Sequence, residues 1–382
     1  MTHIDPGTST WLRARNDRAA LQLLLAHGPL TRAQLGELSG MSKPTAGQML
    51  TRLERAHLVH RVGEVSSTRG PTATSYGVRG DRITGIAVSM HADTIQAMLV
   101  DALDTTFPIV EIPVEGLERS PERDIRAAIE AASRAAQLDE HTVAVVAVGV
   151  QAAVWPDRDS ISLTNTLPGW PAEGSRRRIE DALDVEAILE NDVNLATMAE
   201  RASGVAKEAS SFALLWLGDG IGVGVDLDGV IHRGASGRAG EIGYLAVHEG
   251  NGEAERTDTT DLLGGPAVVA LLHGESSALD GDGVSAIATD SAAIDVLAGR
   301  VALALDPVLA VLDPAMVVLG GPTCLAAGES LSAFVATRLS EAAHPELDVR
   351  LSSIEVSPVL VGARQLLVEQ IRTRLEARIP VG

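Results

Sequence analysis

Between Asn16 and His27 the apolar residues Ala20, Leu21, Leu23, Leu24 and Leu25 recur at helical spacing and stop at Gly28-Pro29, which predicts a first helix ending there. Thr31 is placed to cap a second, short helix with Leu35 and Leu38 turned inward. Ser39-Gly40-Met41 supplies a tight turn before Ser42 caps a third helix. Pro44 sits in the first turn of that helix, where no N–H partner is needed, and Met49, Leu50, Leu53 and Leu58 continue its buried face. Leu58 to Val65 and Thr74 to Val78 then read as two short strands around the polar loop Ser66-Ser67-Thr68-Arg69-Gly70-Pro71.

From Arg82 the pattern changes to alternating strands and helices. Ile83 to Met90 is an apolar strand, Thr94 to Val100 a second, and Phe107 to Val114 a third that Pro108 and Pro113 confine to a sheet edge. Pro121 to Gln137 predicts an amphipathic helix, Thr142 to Val150 a buried strand, and Val185 to Leu189 another. Strands paired early and then alternating with helices predict an α/β body of two similar halves. A chain of 382 residues has room for two or three domains.

Composition changes the picture in two ways. The hydrophobic fraction is 45% but only 2% is aromatic, so the core is aliphatic and base stacking is an unpromising mode of action. The net charge of −20 argues against nucleic acid until its distribution is seen. Up to Gly80 there are ten basic and five acidic residues, a net of +5, which leaves −25 on the rest. A small basic head on a large acidic body is drawn to a phosphate backbone while the body is held off it. Lone Cys324 rules out an internal disulfide framework and a Cys-rich zinc site, and a reducing cytoplasm is the expected setting. Met1 to Thr10 lacks a basic stretch followed by an apolar one, and Val301 to Gly321 is broken by Asp306, Pro307, Asp313 and Pro314, so neither a signal peptide nor a membrane span is expected.

A tight glycine turn followed by Ser42-Lys43-Pro44-Thr45 is how a helix-turn-helix presents its second helix to the major groove. Thr31, Ser42, Lys43, Thr45, Gln48 and Arg52 are the candidate DNA-binding residues, with Arg69 in a wing near the backbone or minor groove. The competing reading is a helical hairpin with a β-ribbon used for packing or protein contacts.

The run Gly218-Asp219-Gly220-Ile221-Gly222-Val223-Gly224-Val225, then Gly229, then Arg233 to Gly243 containing Gly237-Arg238-Ala239-Gly240-Glu241, closely resembles the signature of the ROK family of repressors and sugar kinases. Leu167-Pro168-Gly169-Trp170, Glu190-Asn191-Asp192-Val193-Asn194 and Asp313-Pro314 leading to Gly320-Gly321 are similar to further blocks of that family in the same order. The resemblance implies an N-terminal winged helix-turn-helix (α+β), residues 1–80, followed by an α/β actin-like ATPase domain of the ribonuclease-H-like sugar-kinase type, two-lobed, residues 81–382. It also implies a sugar cleft between the lobes and a homodimer or homotetramer. Asn191 and Asp192 follow an apolar strand, so a strand's carboxyl end would place an amide and a carboxylate on neighbouring sugar hydroxyls. The same Asn-Asp-x-Asn is also an ordinary turn and helix cap. Glu241, Tyr244 and Asn165 complete the candidate sugar-binding set.

The resemblance to the kinases is incomplete at the nucleotide. Their first strand turns through Asp-x-Gly-Gly-Thr, whereas Val88-Ser89-Met90-His91-Ala92-Asp93-Thr94 has no glycine pair, and Asp219 in the second phosphate loop would repel a triphosphate. Tyr244 stands where the family has a His, and Val247 to Asp261 has none of the Cys of its zinc module. The expectation is a regulator of operator DNA responding to a sugar or sugar-derived effector, needing neither zinc nor ATP. A sugar kinase with an appended head, and a regulator controlled by a protein partner through a degenerate pocket, are the alternatives.

Overall fold

The computed structural model describes residues 9–65, 72–114, 119–162, 166–218, 220–247, 257–273, 291–342 and 344–380. The head runs α1 (Ser9–His27), β1 (Leu30–Thr31), α2 (Arg32–Ser39), α3 (Lys43–Arg55), β2 (Val59–Val65) and β3 (Ala73–Val78), with the strands in the order β1-β3-β2. The caps are those the sequence predicts. Thr31 Oγ1 accepts from Gln34 N at 3.3 Å while Gln34 Oε1 accepts from Thr31 N at 2.9 Å, and Ser42 Oγ accepts from Thr45 N at 3.3 Å. Gly40, in the left-handed region, stops α2.

Two expected core positions differ. Leu38 is 46% exposed, because the buried stripe of so short a helix is taken by Leu35 and Gly36. Leu58 is buried but not helical: α3 ends at Arg55, His57 adopts φ 56°, and Leu58 leads into β2. The edge strand β1, only two residues long, was not legible in the pattern.

The first lobe follows with β4 (Thr84–Met90), β5 (Thr94–Val100), β6 (Val110–Pro113), α4 (Pro121–Ala136), β7 (Val143–Val150), the ribbon β8 (Ala153–Trp155) and β9 (Ser160–Ser162), α5 (Ser175–Leu183), β10 (Glu186–Asn191) and α6 (Asp192–Ser203). The second comprises β11 (Ser211–Leu217), β12 (Ile221–Leu227), β13 (Val230–Ile231), the pair β14 (Ala246–Val247) and β15 (Thr257–Asp258), α7 (Thr259–Leu263), α8 (Gly265–His273), α9 (Ser291–Leu312), β16 (Met316–Gly320), α10 (Pro322–Ala342), β17 (Asp348–Leu351) and α11 (Pro358–Ala377). The sheets are ordered β10-β7-β4-β5-β6 and β13-β12-β11-β16-β17. In each, three strands form an antiparallel meander and two more join in parallel beside the first of them. The two halves therefore share one topology, with Pro113 on the outer strand of its sheet, where no ladder bond is lost.

Although α11 is last in sequence, it returns to the first lobe. Leu367, Ile371 and Leu375 lie in one apolar cluster with Leu195 of α6 and with Leu21, Leu24, Tyr76 and Val78 of the head. Glu376 accepts from Gln22 Nε2 at 2.8 Å and pairs with Arg18 at 3.2 Å, so the head is docked on α11 rather than tethered by a linker alone. Helices α6 and α11 approach so closely that a Cβ on Gly362 would overlap the carbonyl oxygen of Leu195. Among the described residues, no helix is long and apolar enough to cross a membrane. Gly362→Ala should force these helices apart and lower stability by roughly 1–3 kcal/mol, read as a fall in the thermal midpoint. An unchanged midpoint would contradict the close approach.

Candidate functional site

On the head, α3 displays a polar stripe at helical spacing. Lys43, Gly47, Gln48, Thr51, Arg52 and Arg55, joined by Arg32 of α2, line a shallow groove with four cationic side chains. Lys43 and Gln48 are exposed, as expected for groove-facing residues, and Ser42 and Thr45 stand at the exposed start of the helix, their hydroxyls 2.8 Å apart. Arg32, Thr51 and Arg55 were missed, although their i, i+4 relation to Lys43 and Gly47 was available for the two on α3. Arg32 is held by Tyr76, whose hydroxyl accepts from its Nη2 at 3.0 Å.

Two candidate DNA-binding residues take other roles. Thr31 is 6% exposed and spends its hydroxyl on the capping box. Arg52 donates from Nε and Nη2 to Asp17 at 2.7 and 2.6 Å; Asp17 is buried on α1, and this bond holds the guanidinium protonated above its ordinary range. Arg52 thus fastens α3 to α1, a pairing across 35 residues that helical spacing cannot reveal. Arg69 lies outside the described residues.

Between the lobes is a cavity of about 410 Å³, within the size range of small-molecule pockets. Its walls include Asn191, Asp192, Glu241 and Tyr244 of the candidate set, together with Gln151, Thr166, Trp216, Asp258, Thr260 and Asp261, which carry no local signal in the sequence. Asn165 and Asp219 lie outside the described residues. Asn191 is the cap of α6: Oδ1 accepts from Asn194 N at 3.0 Å and Nδ2 donates to Ala152 O at 3.1 Å. The cap reading of Asn-Asp-x-Asn is therefore realised, and each end of the amide makes one bond to protein. Asp192, in the first turn of α6, keeps the expected place on the cavity wall. Tyr244, 58% exposed, stands at the rim.

Burial pushes the Asp192 carboxyl up to about 7, against the bond from Val193 N, with the nearby Glu241 adding like-charge repulsion. Glu241 is itself raised by burial, opposed by Arg238. Among the described lining residues the charged ones are Asp192, Glu241, Asp258 and Asp261, with no Lys, Arg or His. Such a wall offers acceptors to hydroxyl groups and repels anions.

A carboxyl whose folded value is raised binds more protons folded than unfolded, so its contribution falls as pH rises from the unfolded value near 4 to the folded value near 7. Asp192→Asn should therefore raise the ligand-free thermal midpoint, negligibly below pH 4, increasingly up to pH 7, and constantly above it. The ceiling is about 4 kcal/mol. A gain that shrinks with rising pH would contradict the burial.

A profile of the ROK family matches residues 86–370, and one of the MarR family matches residues 16–69. The chain is 25% identical over 248 residues to the xylose repressor of Bacillus subtilis, the match covering 64% of this chain and 63% of the repressor. It is 24% identical over 248 residues to the DNA-binding transcriptional dual regulator NagC of Escherichia coli, covering 63% of this chain and 59% of NagC. It thus spans less than two thirds of the length of these relatives. Among solved structures, a ROK family transcriptional regulator homologous to the E. coli MLC protein matches with a TM-score of 0.69 at 18% identity, covering 96% of this chain and 99% of that one. A ROK family glucokinase from Streptomyces griseus, in complex with glucose and AMPPNP, matches with 0.61 at 21%, covering 75% and 99%. The glucokinase establishes the fold of the two actin-like, sugar-kinase lobes, and the regulator, with the MarR match, that of an N-terminal winged helix-turn-helix ahead of them. The protein belongs to the ROK family.

Proposed function

We propose that the protein is a transcriptional repressor that binds operator DNA through α3 and binds a sugar in the interlobe cleft without phosphorylating it. The observation that carries this is the groove lined by Arg32, Lys43 and Arg55, beside the Asp17-paired Arg52, on a chain whose net charge is −20. Positive charge gathered against the overall balance, on the helix that a helix-turn-helix inserts, serves contact with phosphates. Two heads in a homodimer or homotetramer would read half-sites about one helical turn apart.

The cleft supports an uncharged sugar. Hydroxyls find acceptors at Asp192 and Glu241, and the exposed ring of Tyr244 is placed to cover a sugar face. A phosphorylated sugar would set its dianion among four carboxyl groups. The xylose repressor of Bacillus subtilis and an N-acetylglucosamine repressor of Escherichia coli, 24% identical to this chain over 248 residues, make these sugars the first to try.

The residues present do not fit a nucleotide at the β4–β5 turn, where a phosphate needs converging backbone donors. His91 N is spent on Thr94 O at 2.9 Å, and the carbonyls of His91 and Ala92 accept from Arg119 Nη1 at 2.5 and 3.4 Å. Arg119 is buried, paired with Asp124 at 3.0 Å, and Asp124 also accepts from Trp170 Nε1 at 2.9 Å. The Leu167–Trp170 block thereby fixes the turn with its carbonyls facing a cation, the reverse of a phosphate cradle. No zinc or ATP enters the proposed function, and the cytoplasm, where DNA is reached, is its place.

Effector and operator communicate through shared structure. Helix α6 begins at the cleft with Asp192, meets α11 at Leu195, and α11 carries the head. A sugar that binds one lobe arrangement better than the other shifts the population of head arrangements by that difference alone.

The test is a mobility-shift titration on genomic fragments at several salt concentrations, with D-xylose, D-glucose and N-acetylglucosamine as effectors. Lys43→Ala should weaken binding across all sequences and make the logarithmic salt slope shallower by roughly one unit. Arg52→Ala should instead leave Asp17 buried without its partner and lower the head's stability by about 3 kcal/mol. Failure to shift any fragment at low salt, or ATP consumption with a sugar that Asp192→Asn abolishes, would overturn the proposal.

A further inference from the structure

Glu190 is the acidic residue immediately before the cleft pair Asn191-Asp192, yet it does not line the cavity. Its side chain is only 6% exposed. The two carboxylate oxygens face different lobes. Oε1 accepts from Asn191 N at 3.0 Å and from Asn194 Nδ2 at 2.9 Å, and so grips the first turn of α6 that presents Asp192. Oε2 accepts from Arg233 Nε at 2.7 Å and Nη2 at 2.6 Å. Arg233 belongs to the second lobe, just past β13.

Arg233 is also the base of the glycine-rich loop that ends at Glu241. Its carbonyl accepts from Ala239 N at 3.2 Å, closing the loop on itself. From that base the loop is pressed between the lobes. A Cβ on Gly237 would overlap the carbonyl of Val154 in β8, and one on Gly240 would overlap that of Val223 in β12. Both glycines have positive φ, 72° and 86°, which any other residue would adopt only under strain.

We infer that the Glu190–Arg233 ion pair is the latch of the effector cleft: a positioning pair that holds the walls bearing Asp192 and Glu241 at sugar-binding separation. The inference rests on the cleft being the effector site. The latch touches no sugar. With one oxygen committed to each wall, a change at Arg233 is transmitted through a single buried carboxylate to the start of α6. A fork of two guanidinium N–H groups on one oxygen fixes direction as well as distance. Glu190 is buried while Arg233 is 35% exposed, and the fork that joins them sets the separation of the two walls.

The experiment uses full-length protein and calorimetric titration with D-xylose, D-glucose and N-acetylglucosamine, taking whichever binds the wild type most tightly. Arg233→Met and Glu190→Gln should each weaken that binding at least tenfold. The double variant should be no weaker than the worse single one, because one link can be lost only once. Operator affinity without sugar should stay within twofold, which a general loss of folding would not allow. Arg233→Lys keeps the charge but not the fork, so its loss should fall between wild type and Arg233→Met; it also serves if the methionine variant does not fold.

Wild-type sugar affinity in Arg233→Met, multiplying losses in the double variant, or sugar and operator binding falling together would each overturn the latch. Asp192→Ala, run alongside, separates the two failures. If it abolishes binding while Arg233→Met does not, the cleft stands and the latch falls. If the wild type binds no sugar, both fall.

Discussion

The approach of α6 to α11 is the constraint on which the rest of the architecture turns. With no side chain at Gly362, the backbone of α11 rests against the carbonyl of Leu195. Nothing compressible lies between the two helices. A packed interior is not compressible, so α6 and α11 form one closely packed unit. Leu21 and Leu24 of the head share a core with Leu375 and with Ile379 beyond it, so α11 and the head are packed together. The two tasks proposed for the chain, reading DNA and binding a sugar, would thus be joined by packing as well as by a linker.

Charge is arranged by the same geometry. The chain's acidity is gathered partly in the cleft, where burial raises Asp192 and Glu241 and where hydroxyl groups are the natural guests. The head carries a net positive balance, with ten of the 31 Lys and Arg against five acidic residues. Arg52 is spent on a buried aspartate, leaving Lys43, Arg32 and Arg55 on the groove. Arg119 is a buried cation bonded to the carbonyls of the β4–β5 turn and to Asp124.

Much of the fold was legible because it rests on short-range rules. Caps at Thr31 and Ser42, the glycine turn at Gly40 and the apolar stripe of α3 each depend on residues within four positions. The exceptions have local causes, such as Leu38 at the rim of an eight-residue helix and the left-handed His57 that releases Leu58 from α3. In the site, Asp192, Glu241 and Tyr244 were found through ordered blocks that resemble a family and do line the cavity. Asn191 was identified, but its amide oxygen caps α6 and its amide nitrogen donates to the carbonyl of Ala152.

The sequence by itself determined the elements, the basic head on an acidic body and the family, since helical period, turn chemistry, charge and ordered motifs are written along the chain. Only the tertiary structure decided which charges are available and which walls meet. Arg52 with Asp17, Arg119 with the β4–β5 turn, Arg233 with Glu190, and Asp258 and Asp261 with Asp192 are brought together across 27 or more residues. Such pairings depend on how sheets and helices stack, and the distance between two side chains in space leaves no trace in their separation along the chain.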